Sequence, residues 1–571
     1  MEAWDVIVVG AGAAGLAAAW HARAEGASVL VVNKGGVGRT GATITSGGGI
    51  SAAGKTVADL GLGGDPSDTE ENFLIDTLRA GQYLGDQELV QAMVTGVGEE
   101  LRRLIDVGVN LTVTRRPPGH SSGRGVRIAG PEMQRVMTRE AVRAGVKFRE
   151  DFHSVGPLLN DGQLVGIGGL DRRAGRAEAI PGRTVVLATG GTTSNWHLKT
   201  SPEELTGDGH ALALAAGAEL IEMEMMQFLP CCLIAPEMWR GLQFPWIIGP
   251  QAGVRAWLLN RYGERFLARW DPVNMELSTR DVVSAAMGAE IAAGRGSPNG
   301  GVYLSWAHLP IDIVENFPSF SRSISQDWHW EGFDMTPVVE RIRQGRALEV
   351  APAAHFSIGG IRIDATGSTG VPGLYACGEA TGGLHGGNRL SGNAGAQVLV
   401  QGRAAGRSAG RTARAANGVP GAPENWTALR ETIEAPMHRR AGIAPPEIKE
   451  RLTQMAESAL GPVRQADRLA TALDDLRDLV RNALPEISCR SEELSWNQDW
   501  TAALECRAAV PVLESALIGA LTRTRSIGAH RRLDDLATDK PVPQHGIIRA
   551  QDGRLVHRTV PVAFPYVTPA A

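Results

Sequence analysis

The chain has 571 residues, which is too long for one compact core, so several domains are expected. Its 57 basic and 62 acidic residues are interspersed and leave a net charge of −5, which argues against a nucleic-acid-binding surface. We expect no membrane contact, because no apolar stretch reaches about eighteen residues and the N-terminus lacks the basic residues of a signal peptide. A cytoplasmic protein is the expectation.

The beginning of the chain is predicted to form a strand, a tight turn, a helix and a second strand. The turn has the pattern Gly10-x-Gly12-x-x-Gly15, which lets the backbone approach a pyrophosphate at the N-terminus of the helix. The second strand, at 28–32, ends in Asn33, where a carboxylate usually holds the adenosine ribose. An amide can still bond a 2′-OH, and no Arg is placed to bind a 2′-phosphate. The segment predicts a dinucleotide site that does not take NADP.

Three later stretches favour a flavin over a nicotinamide. The stretch RTVVLATGG (183–191) is a short apolar strand that runs into Thr-Gly-Gly. The stretch GVPGLYACGEATGG (370–383) is another strand, and its Glu379 could bond the ribityl hydroxyls of FAD. The loop GGVGRTGATITSGGGI (35–50) is rich in Gly and Thr and suits close approach to a flat ring and its diphosphate.

These segments together resemble the flavoprotein family of the succinate dehydrogenase and fumarate reductase flavoprotein subunits, L-aspartate oxidase and the adenylylsulfate reductase alpha subunit. The resemblance extends along nearly the whole chain. Its further motifs are DTLRAGQYLGDQELV (76–90), TGDGHALALAAGAEL (206–220), NRYGERFLARW (260–270), STRDVVSAAM (278–287), AAHFSIGGIRI (353–363) and HGGNRLSGNAGAQVLVQGRAAG (385–406).

The resemblance implies an α/β fold with an FAD-binding, Rossmann-like domain of the glutathione reductase type. That domain is expected at 1–225 and 346–435, with an inserted α+β capping domain at 226–345. A C-terminal helical domain and tail are expected at 436–571. The residues themselves support this last part, because ATALDDLRDLVRNAL has apolar side chains at helical spacing.

The resemblance also identifies the residues expected to hold FAD. They are Gly10, Gly12, Ala13, Ala14, Gly15, Asn33, Lys34, Thr40, Gly41, Ala42, Thr43, Ser46, Gly47, Gly48, Val155, Thr189, Gly190, Gly191, Asp208, Gly378, Glu379, Arg389, Ser391, Asn393 and Ala394. Family members often attach the flavin through a His in the loop at 35–50, and that position is Ala42 here. We therefore expect noncovalent FAD.

Three matching residues are expected to be catalytic. In relatives that act on a C=C bond next to a carboxylate, one His and one Arg hold the carboxylate and a second Arg transfers the proton. These are His355, Arg389 and Arg280 here. Cations gathered at a carboxylate stabilise the negative charge that develops on the neighbouring carbons. The structural alternatives are a core histidine, an FAD contact for Arg389, and an ion pair of Arg280 with Asp281 or Glu276.

The second carboxylate-binding group of the dicarboxylate-using relatives is missing. Their Gln-Phe-His-Pro-Thr is Gln-Phe-Leu-Pro-Cys here, with Leu229 at the His position, and their Thr-Glu pair is matched by Gly249 and Pro250. A carboxylate buried against apolar walls is strongly unfavourable without a cation. We therefore expect a substrate larger and more apolar than succinate, in a pocket that includes Leu229, Cys231, Trp246 and His385.

The adjacent Cys231 and Cys232 are predicted to be apolar wall. The five cysteines include no C-x-x-C pair, so a zinc site or a Cys-ligated iron–sulfur cluster is not supported and no metal is predicted. Adjacent cysteines cannot both bind one metal without other ligands nearby, and reduced Cys packs as a small hydrophobe. A strained vicinal disulfide is the alternative.

The sequence therefore predicts an FAD-dependent oxidoreductase that transfers hydride at a C–C bond next to a carboxylate or acyl group, by desaturation or by ene-reduction. Its expected partner is a small organic acid or related molecule, and a homo-oligomer is compatible with the sequence. One alternative is a C–N oxidase that resembles L-aspartate oxidase and uses O2. Another is an electron-transfer flavoprotein subunit of an iron–sulfur complex.

Overall fold

The computed structural model describes residues 3–113, 116–243, 256–316, 336–416, 418, 420–539 and 541–569. Its helices are α1 (Ala13–Ala24), α2 (Gly54–Asp59), α3 (Glu70–Ala80), α4 (Gln87–Asp106), α5 (Gly130–Arg143), α6 (Asp208–Ala215), α7 (Arg280–Ala292), α8 (Ile311–Glu315), α9 (Thr336–Arg343), α10 (Asn393–Ala415), α11 (Trp426–His438), α12 (Pro445–Ala459), α13 (Ala466–Asn482) and α14 (Gln498–Thr522). In the described ranges, none of them combines the length and the apolar character that a membrane-spanning segment needs.

The strands form four sheets. They are β1 (Trp4–Val9), β2 (Val29–Val32), β3 (Gly49–Ile50), β4 (Thr112–Val113), β5 (Val126–Arg127), β6 (Lys147–Arg149), β7 (Phe152–Asn160), β8 (Gln163–Asp171), β9 (Arg176–Leu187), β10 (Leu220–Ile221), β11 (Met226–Ala235), β12 (Trp257–Leu259), β13 (Val302–Ser305), β14 (Leu348–Ser357), β15 (Gly360–Ile361), β16 (Leu374–Ala376), β17 (Gln544–Gln551) and β18 (Arg554–Pro561).

The largest sheet has a parallel core in the order β6-β2-β1-β9-β16, and the first half of β9 continues into an antiparallel meander with β8 and β7. The strands β1 and β2 pair in register with Val6 opposite Val29. All four residues of β2 are buried, as expected for a parallel strand that is covered on both faces. The predicted strand–turn–helix–strand unit is present, and α1 begins at Ala13.

Helices α1 and α10 pack so closely that their backbones are in contact. A Cβ on Gly406 would come within 2.2 Å of the Ala18 carbonyl oxygen, and one on Gly402 would come within 2.7 Å of the Ala14 carbonyl oxygen. The alanines of α1 and the glycines of α10 are small enough for this approach. The contact fixes the start of α1 relative to the segment before α10.

A second sheet has the antiparallel order β11-β14-β13-β12 and packs against α7. Strand β11 carries the apolar stretch with two cysteines, and its pairing with β14 is irregular between Leu229 and Cys232. At this irregularity Cys231 has a φ of +68°, so the chain is not simply extended there. The predicted domain limits at 226 and 345 stay a prediction.

The C-terminal part contains helices α12, α13 and α14, which bury Leu452, Leu469 and Leu513 in one core. It also contains the hairpin β17–β18, which pairs with β10 and was missing from the sequence-based prediction. The signal was present, because Asp552 and Gly553 form the two-residue Asp-Gly turn that is typical of hairpins. The expected C-terminal helical domain and tail did not specify this hairpin.

The loop before β5 is held by a buried ion cluster. Arg124 is fully buried and donates from Nε to Asp68 at 2.9 Å and from Nη1 to Asp76 at 2.6 Å. Asp76 also accepts the backbone N–H of Ser121 at 2.6 Å. The cluster ties this loop to α3 and to the segment just before it.

Replacing Arg124 with Ala is expected to destabilise the fold by about 3–5 kcal/mol, because two buried carboxylates lose their cation. The measurement is the free energy of unfolding in urea, followed by tryptophan fluorescence. The control is Lys55→Ala, which removes the exposed pair with Asp59 and should leave the unfolding midpoint unchanged. Equal midpoints for both variants would contradict the role given to Arg124.

Candidate active site

The turn between β1 and α1 packs so closely on the first turn of α1 that one position in each accepts only glycine. A Cβ on Gly15 would lie 1.9 Å from the carbonyl oxygen of Gly10, and one on Gly10 would lie 2.3 Å from that of Ala188. Gly10 also has a φ of +108°, which other residues rarely adopt. The close turn leaves Gly12, Ala13 and Ala14 as the N-terminus of α1, where an anion such as pyrophosphate is favoured.

Asn33, at the end of β2, uses its amide within the loop. Its Oδ1 accepts the N–H of Ala11 at 3.0 Å. Its Nδ2 donates to the carbonyl of Gly35 at 2.9 Å and to Oγ1 of Thr40 at 3.1 Å. The side chain therefore ties the phosphate turn to the loop at 35–50, while a contact with the ribose stays a prediction.

Lys34 and Asp208 are brought together in a buried charge cluster. Nζ of Lys34 lies 2.8 Å from Asp208 and 3.0 Å from Glu505 of α14. Burial alone would lower the pKa of Lys34, but the attraction of the two carboxylates outweighs it and raises that pKa. Burial also opposes ionisation of Asp208, and Lys34 with His153 reverses this effect, so the pKa of Asp208 is lowered. Both side chains are therefore charged.

Glu379 lies beside the Thr-Gly-Gly turn that follows β9. Its Oε1 accepts the N–H of Ser357 at 3.0 Å, and a Cβ on Gly191 would lie 2.3 Å from the same oxygen. Burial raises the pKa of Glu379 to about 7. Nearby polar atoms are buried without a described partner, namely Oγ1 of Thr189 and Oδ1 of Asn393. Such atoms require a polar ligand or water.

The other predicted cofactor residues come from several loops and from the ends of helices and strands. Gly41, Ala42, Thr43, Ser46, Gly47 and Gly48 lie between β2 and β3, Gly190 follows β9, Gly378 follows β16, and Ser391 and Ala394 lie at the start of α10. Val155 on β7 packs against the cluster of Leu170, Ile433, Trp500 and Leu504.

Two of the three predicted catalytic residues, Arg280 and Arg389, are linked through Gln227 of the second sheet, and His355 has a separate polar contact. Arg280, the first residue of α7, donates from Nη1 to Oε1 of Gln227 at 3.1 Å. The Gln227 amide nitrogen donates to Oδ1 of Asn388 at 2.9 Å and to the carbonyl of Arg389 at 2.8 Å. His355 lies on β14, and its Nδ1 lies 2.7 Å from Oγ1 of Thr200. One glutamine thus connects the two arginines.

Arg389 lies over an aromatic ring. Its guanidinium carbon is 4.3 Å from the centre of the Phe356 ring, which provides cation–π stabilisation. Its Nη1 donates weakly to the carbonyl of Leu390 at 3.4 Å, and its Nε is buried without a described partner. The guanidinium therefore has unused donors.

Burial and the charges of the two arginines shift the pKa values of this centre. The pKa of His355 is held well below its usual value by burial and then by Arg280 and Arg389, so the imidazole is neutral. Burial lowers the pKa of Arg280 to about 10. The pKa of Arg389 is lowered mainly by burial and, to a smaller extent, by the charge of Arg280. Both arginines therefore act on His355, and Arg280 acts on Arg389.

In the described part of the chain, neither Arg280 nor Arg389 forms an ion pair with a carboxylate. Glu276, the alternative partner of Arg280, instead binds Arg265 and accepts the N–H of Leu258. A site with two guanidinium groups, of which Arg389 is buried and has unused donors, favours an anion.

The predicted pocket residues lie in different surroundings. His385 donates to Gln397, with Nε2 2.9 Å from Oε1, and lies edge-on to Phe356. Burial and then Arg389 lower the pKa of His385 to about 3. Leu229 and Cys231 are fully buried in the apolar core of the second sheet. Trp246 lies outside the described residues, as do Gly249 and Pro250.

Three residues of this centre were not predicted from the sequence as site residues. They are Thr200, Gln227 and Phe356. Phe356 follows His355 directly in the quoted motif, and Gln227 lies two residues before Leu229 in the quoted strand. The pairing of Gln227 with Phe356 across β11 and β14 brings them together, and such strand pairing cannot be derived from either segment alone.

Comparison with known proteins gives a consistent result. A family model described as "FAD binding domain" matches residues 5–394, and one described as "Fumarate reductase flavoprotein C-term" matches 449–569. One subunit of the fumarate reductase (CoM/CoB) of Methanothermobacter marburgensis is 32% identical, covering 93% of this chain and 94% of that protein. The "L-aspartate oxidase" of Streptomyces coelicolor is 35% identical, covering 98% of this chain and 94% of that protein. The structure of Mycobacterium smegmatis Sdh1 in complex with UQ1 has a TM-score of 0.86 and 30% identity, covering 99% of this chain and 96% of that chain.

The chain belongs to the fumarate reductase and succinate dehydrogenase flavoprotein family. It is an FAD-dependent oxidoreductase, and the predicted fold class and cofactor are confirmed. The residues of this flavoprotein fit FAD, because the turn at Gly10 and Gly15 admits no side chain and buried polar atoms of Thr189 and Asn393 await a partner.

Replacing Gly15 with Ala is expected to lower the affinity of the flavoprotein for FAD at least about tenfold, because the new Cβ would displace the backbone of the phosphate turn. The measurement is the flavin-to-protein absorbance ratio and the quenching of flavin fluorescence on titration. The control is Gly26→Ala, where φ is +83° but no heavy atom lies within 4 Å, so flavin content should be retained. Full flavin content in the Gly15→Ala protein would contradict this account.

Proposed function

We propose that this flavoprotein transfers hydride at a C–C bond next to a carboxylate or similar acyl group, in a substrate larger and more apolar than succinate. One observation carries the proposal. The partly buried Arg280 and the buried Arg389 both act electrostatically on His355, and neither arginine is ion-paired with a carboxylate among the described residues. An organic acid is the ligand that this arrangement favours.

In the proposed reaction, His355 and Arg389 hold the substrate carboxylate and draw electron density from the adjacent carbons. When bound, the flavin supplies or accepts the hydride. Arg280 donates or removes the proton at the neighbouring carbon. A guanidinium is a weak acid, but hydride addition makes that carbon strongly basic, and burial lowers the pKa of Arg280 to about 10.

The substrate class is proposed from the apolar residues of β11. Leu229 occupies the position of the second carboxylate-binding His in dicarboxylate-using relatives, and it is fully buried. Burial raises the pKa of Cys231 well above its usual value, so the thiol is neutral and packs as an apolar group. Neither Leu229 nor Cys231 could pair with a second carboxylate, whereas an alkyl or aryl group beside them would be favoured.

The alternative is a C–N oxidase that uses O2. It is supported by the 35% identity with the L-aspartate oxidase of Streptomyces coelicolor. A third candidate is a subunit that passes electrons to an iron–sulfur partner, because the similar protein of Methanothermobacter marburgensis is named as one subunit of its enzyme. The same centre of Arg280, His355 and Arg389 would bind the acid in each case.

The deciding experiment follows the flavin under anaerobic conditions. The purified protein is photoreduced, and trans-cinnamate or fumarate is added in separate cells. We expect the yellow colour to return with cinnamate and not with fumarate, since only the former has one carboxylate and an apolar group. Return with fumarate would contradict the proposed substrate class, and rapid return only in air would favour the oxidase.

Two arginine variants extend this experiment, with Arg280→Gln as the test and Arg261→Gln as the control. Arg280→Gln is expected to slow reoxidation by cinnamate by at least about a hundredfold, because the proton donor is lost. Arg261→Gln changes an exposed arginine and should leave the rate unchanged. A wild-type rate in the Arg280→Gln protein would remove Arg280 from the proposed mechanism.

The attachment of FAD is proposed to be noncovalent, because Ala42 has no nucleophilic atom. Acid precipitation of the holoprotein is expected to release all of the flavin into the supernatant. Absorbance of the supernatant and of the washed pellet measures the two fractions. A yellow pellet would show a covalent bond to another residue.

A further inference from the structure

The inner ring nitrogen of His355 has one partner, the hydroxyl of Thr200, at 2.7 Å from Nδ1. Within the described ranges no residue bonds the outer nitrogen, Nε2. We propose that Thr200 is a positioning residue that keeps the proton of His355 on Nε2, so that this nitrogen donates to the substrate carboxylate. The inference rests on the proposed function, because it assumes that the site binds an acid.

The direction of the hydrogen bond follows from what each group can donate. A neutral imidazole carries one N–H and one lone pair, and the position of the N–H depends on the partner of each nitrogen. The Thr200 hydroxyl has one proton and, apart from His355, no acceptor among the described residues. When it donates to Nδ1, the imidazole proton is on Nε2 and is directed at the ligand.

The opposite tautomer would work against the proposed ligand. With the proton on Nδ1, the lone pair of Nε2 would face the substrate carboxylate, and two electron-rich atoms would repel each other. A neutral His355 can hold an anion only through an N–H donor. The hydroxyl of Thr200 therefore decides whether His355 attracts or repels the carboxylate.

The loop that carries Thr200 is held by its backbone and not by this hydroxyl. The N–H of Thr200 donates to the carbonyl of Ala354 at 3.0 Å, and the N–H of Ala354 donates to the carbonyl of Leu198 at 2.9 Å. The N–H groups of His197 and Leu198 both donate to Glu457 of α12, at 3.1 and 3.3 Å. Removing the hydroxyl alone should leave the loop in place.

The test compares three variants of this loop in the holoenzyme. Thr200→Val has nearly the same shape without the hydroxyl, and Thr200→Ser keeps the hydroxyl. Ser194→Ala removes another hydroxyl of the loop, which donates to the carbonyl of Pro202 and does not contact His355. All three should keep the flavin content and the unfolding temperature of the wild type.

The first readout is the tautomer of His355, from the ring-nitrogen chemical shifts of 15N-histidine-labelled protein. The signal is assigned as the one missing in His355→Gln. We expect a protonated Nε2 and an unprotonated Nδ1 in the wild type and in Thr200→Ser, and a mixture of both tautomers in Thr200→Val. An unchanged tautomer in Thr200→Val would overturn the inference.

The second readout is the dissociation constant of trans-cinnamate from the oxidised holoenzyme, followed by the perturbation of the flavin spectrum. Thr200→Val is expected to weaken binding by about tenfold, the size of one charge-assisted hydrogen bond. Thr200→Ser and Ser194→Ala should stay within about twofold of the wild type. Equal affinity of all variants would overturn the inference.

The two readouts separate this inference from the proposed function. If neither cinnamate nor fumarate binds to the wild type but the tautomer still changes in Thr200→Val, the positioning role is supported and the proposed function is contradicted. If cinnamate binds and the Thr200→Val protein behaves as the wild type in both readouts, the proposed function is retained and the role of Thr200 is rejected.

Discussion

The active centre depends on two guanidinium groups, the buried Arg389 and the partly buried Arg280. Neither forms an ion pair with a carboxylate in the described part of the chain, although the charge of Glu379 acts to raise the pKa of Arg389. A charge in the interior is unfavourable by several kcal/mol unless it is paired. Arg280 and Arg389 are stabilised by neutral groups instead, namely the Gln227 amide oxygen, a backbone carbonyl and the face of Phe356. Because these groups neutralise no charge, the attraction for an incoming anion is retained, and the donors are already in place.

This arrangement requires segments that are far apart in sequence to meet. Gln227 lies directly opposite Phe356 on the paired strands β11 and β14, so the group that bonds Arg280 and the ring under Arg389 are neighbours. Arg389 comes from the segment before α10, which is fixed by the close packing of α10 on α1. The flavin-binding turn and the cationic centre are therefore positioned by the same framework.

The local elements were predictable from the sequence, and the side-chain pairing was not. The glycines at 10 and 15 permit a close approach of the backbone, so their pattern predicted the strand–turn–helix unit, although α1 begins at Ala13, before Gly15. The contact of Asn33 with a ribose stays a prediction, and the sequence did not indicate that its amide oxygen accepts the N–H of Ala11. The hairpin at 544–561 was missed, since helical spacing dominates the rest of the tail. Thr200 lies 155 residues from His355, and no local pattern connects them.

The charges of the centre agree with a substrate that has one carboxylate. His355 is neutral, since burial and the two arginines hold its pKa far below the usual value, so the positive charges of the centre are those of Arg280 and of Arg389, on which Glu379 also acts. One carboxylate compensates one of them. In the proposed reaction, the negative charge that develops on the adjacent carbon compensates the other, and it does so only in the transition state. The interaction that Arg280 makes is therefore stronger in the transition state than in the ground state, which is the condition for acceleration. In the proposed reaction, a second carboxylate beside Arg280 would compensate its charge already in the ground state and reduce this difference, which agrees with the proposed substrate class.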